Sequence, residues 1–306
     1  MQAWFQPQSG LVRFNAVFNL LISLSMPQLR SVVAAPLLAL AVLLTSPALR
    51  AQEEVPFITT PDNVTLEMLR IANVGPADHV IDLGSGDGRI VILAARRFGA
   101  SGLGVEIVPD LVQRSIKSAR DAGVADRVAF KEQDLFQTDL SPATVVTMYL
   151  LTEVNLKLRP ALLALKPGTR VVSHDWDMGD WKPDQTTVVA VPDKQVGLEK
   201  SSKVHLWAVP ARIDGLWCGA GLLRGTALTL TQRYQEFEGM LVRGERSRKV
   251  DGRIEGTTLR TSRESSGRAG ELVLEVQGDM LRIITAGGPL TLAQGMSFRR
   301  TSGSGC

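Results

Sequence analysis

This chain of 306 residues has few features that would place it in an unusual class of protein. Cysteine occurs only at positions 218 and 306, too few for a disulfide framework, although an oxidising compartment would permit one bridge. The net charge is only +3, and no run of Lys and Arg is interleaved with aromatic residues, which argues against a nucleic-acid partner. The 44 % apolar content fits a globular chain, and the length leaves room for two domains.

Residues 1–51 have the layout of a secretory leader. A short basic start at Met26 precedes an apolar run, 32–45, which is short for a membrane span, and Ala51 offers a small residue for cleavage. We therefore expect translation to start at Met26 and cleavage to follow Ala51. Leu49 is large for its place in a cleavage site, so an uncut leader that anchors the chain in a membrane is the alternative. Positive charge precedes the apolar run, and both outcomes predict an exported protein, periplasmic or secreted.

The stretch 79–99, HVIDLGSGDGRIVILAARRFG, predicts a strand, a glycine turn and a helix. Val80 and Ile81 are β-branched, as in a strand buried in a parallel sheet. Three glycines follow at alternate positions, where a positive φ or a close backbone approach costs little. Such a unit presents backbone N–H groups and a helix N-terminus to a ligand. The apolar side chains of the helix share one face: Ile90, Leu93, Ala94 and Phe98.

The spacing of this turn does not suit a dinucleotide, because the position of the third glycine in that fingerprint is held by Arg89. Asp82 precedes the first glycine and Asp87 lies among the glycines. Two carboxylates would repel a pyrophosphate but would suit a ligand with a cationic end. With an acid followed by GxGxG, the chain resembles the class I S-adenosylmethionine-dependent methyltransferases, in which this turn holds the amino-acid part of the cofactor. The resemblance implies cofactor-binding roles here for Asp82, Gly84, Ser85, Gly86 and Asp87.

Two further acids lie at the ends of the next two predicted strands. Glu106 lies near the end of the segment 102–107, where an acid can accept hydrogen bonds from ribose hydroxyls. Asp134 follows the segment 127–133. The resemblance implies that Asp134 binds the adenine amino group and that Leu135 packs on the ring. Ligands of open α/β sheets lie at the carboxyl ends of the strands. Acids at three successive strand ends therefore predict a ligand site more strongly than any one of them alone.

Alternating strand and helix patterns predict an α/β methyltransferase domain over residues 55–211. Two late strand segments, 186–191 and 203–209, are joined by a polar turn too short for a crossover helix, so they should pair antiparallel. The resemblance implies the same ending for the Rossmann-like, seven-stranded class I methyltransferase sheet. The first five strands are expected at 79–83, 102–107, 127–133, 144–151 and 169–175.

Beyond Pro210 the helical period disappears. Residues 212–306 carry short alternating apolar segments with turn signals every ~10 residues, which predicts a small antiparallel all-β domain, either a barrel or a sandwich. No metal-ligand spacing occurs in it, and we expect no metal site in the chain. This domain could grip a substrate or only pack on the first domain, and the sequence leaves both open.

Contacts with the methyl acceptor are expected from the loops after the fourth and fifth strands. The Asp/Asn-Pro-Pro-Tyr signature of enzymes that methylate amino groups of nucleic acids is absent there. From residue 60 to residue 181 the chain is most similar to the small protein-lysine methyltransferases. That resemblance implies that Thr60 and Pro61 lie near the methionine moiety of the cofactor.

A lysine acceptor has an ordinary pKa of about 10.4 and must lose its proton before it attacks. An apolar, aromatic surrounding lowers that pKa by desolvation, and a carboxylate or an imidazole can orient the amine. The candidates for these catalytic roles are Tyr149, Glu153, His174 and Asp175. For each of them an ordinary structural role, in packing or in a loop hydrogen bond, is the alternative.

The sequence therefore predicts an exported, monomeric S-adenosylmethionine-dependent methyltransferase that acts on a protein lysine. Two other functions stay open. One is methylation of a small molecule, and the other is a binding module that keeps the cofactor fold without catalysis, because the supply of cofactor outside the cytosol is uncertain. We expect no nucleic-acid partner, and contact with a membrane only through an uncut leader.

Overall fold

A computed structural model of the protein describes residues 58–195, 198–262, 271–303 and 305–306. The predicted leader 1–51, with its start at Met26 and its cleavage after Ala51, lies outside the described residues. Within the described ranges, no helix has both the length and the apolar character needed to cross a membrane.

The first part of the structure is a seven-stranded sheet in the order β3-β2-β1-β4-β5-β7-β6. The first five strands are parallel, whereas β7 runs antiparallel to both β5 and β6, which confirms the predicted closing hairpin. The elements are β1 His79–Leu83, β2 Ser101–Glu106, β3 Val128–Glu132, β4 Val145–Met148, β5 Arg170–His174, β6 Gln185–Ala190 and β7 Ser201–Ala208, with helices α1 Asp62–Ile71, α2 Arg89–Phe98, α3 Pro109–Asp121 and α4 Thr152–Leu162.

Strand β4 is shorter than the predicted segment 144–151. It ends at Met148, which lies opposite Leu83 of β1 and Ser173 of β5. Its two neighbours end at Leu83 and at His174, so a longer β4 would find almost no backbone partners for its hydrogen bonds. The chain therefore leaves the sheet at Tyr149, at the edge where ligands of such sheets lie.

Both faces of this sheet are covered, as the apolar strands predicted. Val80 packs on one face with Met68 of α1 and Ile90 of α2. Its neighbour Ile81 points to the other face and packs in the cluster that contains Leu158 of α4. This alternation along one strand requires apolar residues at consecutive positions, which is why the strand reads as a continuous apolar run.

The second part is a closed antiparallel barrel of eight strands, which decides between the barrel and the sandwich. Closure pairs the last strand with the first and leaves no open sheet edge. A disulfide joins Cys218 to Cys306, a pairing that the sequence left open. The strands are β8 Gly215–Gly219, β9 Thr226–Arg233, β10 Glu236–Arg243, β11 Arg246–Glu255, β12 Thr258–Thr261, β13 Leu272–Gln277, β14 Met280–Ala286 and β15 Ser297–Thr301.

The barrel packs on the loop that follows β5. Trp181 of this loop is fully buried and stacks on Tyr234, with ring centroids 6.2 Å apart. The Gln235 side chain donates a hydrogen bond to the Lys182 carbonyl at 2.6 Å, and Asp184 pairs with an arginine of β11 at 2.9 Å. The barrel thus holds the loop of the fifth strand against the sheet.

Candidate active site

The predicted glycine turn lies at the carboxyl end of β1. Gly84 and Gly86 have φ values of +73° and +54°, a region that side chains with a Cβ avoid. The backbone N–H groups of Gly84 and Ser85 both donate to the Val105 carbonyl at 2.9 Å, which ties the turn to β2. The glycine turn is therefore held in place between β1, β2 and the start of α2.

Asp82 is a buried acid in β1, two residues before the first glycine of the turn. Its side chain is 2 % exposed, and its Oδ1 accepts a hydrogen bond from Thr147 Oγ1 at 2.7 Å. Burial, with the nearby charges of Glu106 and Asp87, raises the pKa of Asp82 to about 7. A cation held at this end of the sheet would favour the charged form of Asp82.

Asp87 is already neutralised by an arginine. Arg89 Nη2 lies 2.7 Å from Asp87 Oδ2, and Arg89 Nη1 donates to the Thr60 carbonyl at 2.9 Å. Burial works against ionisation of Asp87, but the hydrogen bond and charge of Arg89 outweigh it and hold its pKa below the usual range. Its carboxylate therefore links the glycine turn to the segment before α1, and the charge available to a cationic ligand falls mainly to Asp82 and Glu106.

Glu106 is fixed at the end of β2 by three backbone donors. Its Oε2 accepts from the Gly86 N–H at 2.9 Å, and its Oε1 accepts from Ile107 at 2.8 Å and Val108 at 3.1 Å. An ionised carboxylate offers about four acceptor positions, two on each oxygen, so Oε1 is fully used and Oε2 keeps one position for a further bond. The geometry thus leaves Glu106 one position for a ribose hydroxyl.

Asp134 follows β3 by two residues and caps a short 3-10 turn, where its Oδ1 accepts from the Phe136 N–H at 2.9 Å. Leu135, predicted to pack on the adenine ring, is half-buried and packs against the apolar cluster on one face of the sheet. Phe136 is 52 % exposed and Ile107 is 59 % exposed. These two side chains offer apolar surface at the same strand ends, and sequence reasoning did not single them out.

The residues of this edge fit S-adenosylmethionine. Ser85 Oγ is buried and has no hydrogen-bond partner among the described residues, so the turn keeps an unused polar atom. Acidic groups suit the ammonium and the hydroxyls, and exposed apolar side chains suit an aromatic ring. Over the same described part of the chain, no group of three or more His, Cys, Asp or Glu side chains is arranged to hold a metal ion.

Beside this edge lies a cavity of about 380 Å³, here named the Tyr149 cavity. Tyr149, directly after β4, forms part of its wall, and burial together with the charge of Asp175 raises the pKa of the Tyr149 hydroxyl. The volume is near the lower end for ligand sites in proteins. Its lining residues come from five separate parts of the chain: Ile58, Thr59, Pro61, Asn63, Tyr149, His174, Val191, Pro192, Asp193, Lys194, Gln195 and Ser202.

His174 orients the tyrosine ring. The two rings stack with centroids 3.9 Å apart, and the imidazole is 1 % exposed. Its Nδ1 lies 3.2 Å from Thr60 Oγ1 and its Nε2 lies 2.9 Å from Ser202 Oγ, so both nitrogens are engaged. Burial lowers the pKa of His174 to about 4, the Lys194 charge adding to this and the Asp175 charge opposing it. The imidazole is therefore neutral at pH 7 and has no free nitrogen to take a proton.

Asp175 acts through its neighbours. Its Oδ2 lies 2.8 Å from Lys194 Nζ, and its Oδ1 accepts from the Lys203 N–H at 2.8 Å. Lys194 also donates to the Ser201 carbonyl at 2.7 Å. An ammonium group, which sequence reasoning missed, is thus held at the cavity wall by the carboxylate of Asp175.

Glu153 lies apart from the other candidates. It is exposed in the first turn of α4 and is not among the residues that line the Tyr149 cavity. The structure brings together Thr60, Tyr149, His174 and Asp175, with Pro61 in the cavity wall. Arg89 follows Asp87 so closely that the pair could have been read from the sequence, whereas no local pattern joins Lys194 to Asp175.

Comparison with known proteins gives a consistent family. A family model described as the ANTKMT methyltransferase domain matches residues 82–185. The chain is 45 % identical over 141 residues to a protein-lysine N-methyltransferase of Saccharolobus islandicus. This alignment covers 45 % of this chain and 86 % of that protein. It is 32 % identical over 131 residues to the adenine nucleotide translocase lysine N-methyltransferase of Mus musculus, covering 42 % of this chain and 57 % of that protein.

Solved structures show a related match. An RNA methyltransferase from Salinibacter ruber, in complex with S-adenosyl-L-homocysteine, is similar at 54 % sequence identity with a TM-score of 0.46. The match covers 51 % of this chain and 96 % of that one.

Proposed function

The chain belongs to the family of protein-lysine N-methyltransferases, and from this premise we propose that it methylates the ε-amino group of a lysine in a protein outside the cytosol. It is a methyltransferase, and its cofactor is S-adenosylmethionine. The resemblance implied by the glycine turn is thereby confirmed. The acceptor and the compartment are the parts that are proposed.

The observation that carries the lysine acceptor is the electrostatic character of the Tyr149 cavity. An incoming lysine would meet a half-buried tyrosine ring, a neutral imidazole behind it and the ammonium of Lys194 in the wall. Desolvation disfavours the protonated amine and so lowers its pKa toward neutrality, while the charge of Lys194 is offset by its ion pair with Asp175. Asp193, exposed in the cavity lining, supplies a negative charge that attracts the ammonium before it loses its proton.

Side chains at the strand ends and around the Tyr149 cavity have separate roles in binding the cofactor and in orienting the amine. S-adenosylmethionine, when bound, supplies an electrophilic methyl group on a sulfonium. Asp82 and Glu106 supply negative charge and hydrogen-bond acceptors for it. Tyr149 keeps its proton, and its oxygen can accept a hydrogen bond from the amine and so aim the nitrogen lone pair. His174 holds the tyrosine ring through the 3.9 Å stack, and the proton of the lysine leaves to solvent.

The compartment is proposed from two features. The leader layout of residues 1–51 predicts export, with the mature chain beginning at Gln52 after cleavage. The pairing of Cys218 with Cys306 supports an oxidising environment, since disulfides persist there and are rare in the cytosol. The protein substrate would then be an envelope or extracellular protein, and we propose that the enzyme meets it as a monomer.

Transfer of label from S-adenosylmethionine to an envelope extract tests the acceptor. We expect a labelled protein band that yields methylated lysine on hydrolysis. Tyr149→Phe should strongly reduce this band while cofactor binding, measured by calorimetry, stays intact. Glu153→Gln, outside the cavity, is the matched control and should leave the label unchanged. Label confined to small molecules or to RNA would contradict a lysine acceptor, and cofactor binding without any transfer would indicate a binding module.

Cell fractionation followed by N-terminal sequencing tests the compartment. We expect the mature protein outside the cytosol, beginning Gln52-Glu53-Glu54. An exported chain that still carries residues 32–45 would indicate an uncut anchor. A soluble cytosolic protein that retains these residues would contradict the export proposal.

A further inference from the structure

The interior of the barrel formed by β8–β15 contains a cavity of about 160 Å³. Its wall is mostly aliphatic and aromatic, with Leu228, Leu230, Phe237, Leu274 and Phe298 each at most 5 % exposed. Barrels of eight strands are generally either filled by their own side chains or able to hold one small ligand. A dry cavity of about 150 Å³ in another protein takes up benzene, so this volume suits an apolar group of about six carbons.

One end of the cavity is polar. Thr226 of β9 and Arg243 of β10 both line it and lie directly opposite each other in the antiparallel register. Thr226 is 4 % exposed, and its Oγ1 has no hydrogen-bond partner among the residues that the structure describes. A buried hydroxyl without a partner is costly, and such a group in a cavity wall points to a ligand that supplies the missing bond.

Arg243 adds a positive charge at the same end. Its side chain is exposed, and its Nη2 makes one long contact, at 3.5 Å, with the Leu222 carbonyl. Among the described lining residues of this cavity it is the one that carries a charge. A guanidinium matches the planar, two-oxygen geometry of a carboxylate.

The pairing of β9 with β10 shows which residues face the cavity at increasing distance from its polar end. Proceeding along β9 from Thr226, the next inward residues are Leu228, opposite Leu241 of β10, and then Leu230, opposite Gly239. Inward positions alternate along each strand, so along β9 and β10 the wall changes from polar at the Thr226–Arg243 end to apolar deeper in the barrel. Thr261 also lines the cavity, and its hydroxyl is hydrogen-bonded to the backbone of Leu272. This arrangement matches an amphipathic molecule with one charged end.

We propose that the barrel binds one small amphipathic carboxylate, with its apolar body of about six carbons in the barrel interior and its carboxylate between Arg243 and Thr226. Arg243 donates to the carboxylate, and the Thr226 hydroxyl donates to the same group. The barrel is thereby a ligand-binding module appended to a methyltransferase. This site is separate from the Tyr149 cavity and does not depend on the identity of the methyl acceptor.

Calorimetric titration of the full chain with hexanoate, and with hexanol as the neutral probe of equal chain length, tests the proposal. We expect hexanoate to bind more tightly than hexanol. Arg243→Met should weaken hexanoate binding about tenfold and leave hexanol binding unchanged, because only the charged contact is lost. Thr226→Val, close in shape, should also weaken hexanoate. Leu230→Phe, which fills the interior, should abolish binding of both.

Three outcomes would overturn the proposal: no binding of either probe, hexanoate binding that Arg243→Met leaves unchanged, or binding that survives Leu230→Phe. Thermal melting shows whether each variant is folded, and if Leu230→Phe is not folded, Thr226→Val and Arg243→Met still decide the outcome. S-adenosylmethionine binding should be unaffected in these variants. Failure here is therefore distinguishable from failure of the proposed methyl transfer.

Discussion

The buried carboxylate of Asp82 leads to a prediction in which stability and cofactor binding change in opposite directions. Its pKa is raised from 3.8 to about 7, mainly by burial, with Glu106 and Asp87 adding to the shift. At 1.36 kcal/mol for each pH unit between the two values, ionised Asp82 costs the folded protein about 4 kcal/mol above pH 7. Unfolding relieves this cost, because water solvates the carboxylate.

The perturbation is Asp82→Asn, which keeps the shape of the side chain and an oxygen that can accept the hydrogen bond from Thr147. Between pH 3.8 and about 7, the native wild-type protein binds more protons at this position than the unfolded chain, so its stability falls as pH rises. The variant has no proton to lose. We expect the free energy of unfolding of the variant, relative to wild type, to increase by about 4 kcal/mol from pH 4 to pH 8.5.

His174 contributes a pH dependence of the opposite sign. Its pKa is lowered from 6.5 to about 4, so between these values the unfolded chain binds the extra proton and stability rises with pH. This contribution is present in both proteins and cancels in their difference. The difference between the two stability curves, and not either curve alone, therefore reports on Asp82.

The assay is urea unfolding at several pH values, followed by tryptophan fluorescence, to which Trp181 and Trp207, buried on the sheet, contribute. Titration calorimetry of the same variant should show weaker S-adenosylmethionine binding, because the cationic end of the cofactor loses a carboxylate. In wild type, this binding should weaken as pH falls below 7 and Asp82 takes up its proton. A stability difference that is constant with pH, or unchanged cofactor affinity, would refute the reasoning.

Three further predictions concern other parts of the chain. Glu106→Gln should weaken cofactor binding about tenfold or more in calorimetry, since a hydrogen bond to a charged group contributes about 1.5–3 kcal/mol. The control is Glu132→Gln, which is exposed at the paired position of β3 and should leave cofactor binding unchanged. Equal effects of the two substitutions would contradict the ribose contact. Cys218→Ser should lower the free energy of unfolding of the barrel by roughly 4 kcal/mol, because the bridge joins residues 88 apart. Unfolding curves that neither this substitution nor a reductant shifts would count against that expectation. In NMR, His174 should titrate near pH 4, and titration near 6.5 would show that it is not buried behind Tyr149.

Local patterns determined much of this protein. Glycines that need a positive φ, an apolar strand before them and an amphipathic helix after them specify the first strand–turn–helix unit through neighbouring residues alone. The same logic placed Glu106 at the end of β2 and predicted the closing hairpin from the length of its turn. Alternating apolar and polar residues, with frequent turn signals between them, were enough to identify the all-β region, because this alternation is a property of a single strand.

Only the tertiary structure decided which of the chemically capable residues are free to act. His174 loses both ring nitrogens to Thr60 and Ser202, and the carboxylate of Asp175 is paired with Lys194. The exposure of Glu153 also follows from the packing of the complete helix. These outcomes depend on contacts between segments far apart in the chain, and no local pattern encodes them.

The same distinction holds in the barrel. A sandwich and a barrel share one alternating pattern, and they differ only in whether the last strand pairs with the first, as β15 does with β8. The cavity and its polar end arise from that closure, which brings side chains of many strands around one axis. Sequence determines which face each side chain takes, and closure of the barrel determines what that face encloses, because an interior exists only once all eight strands are paired.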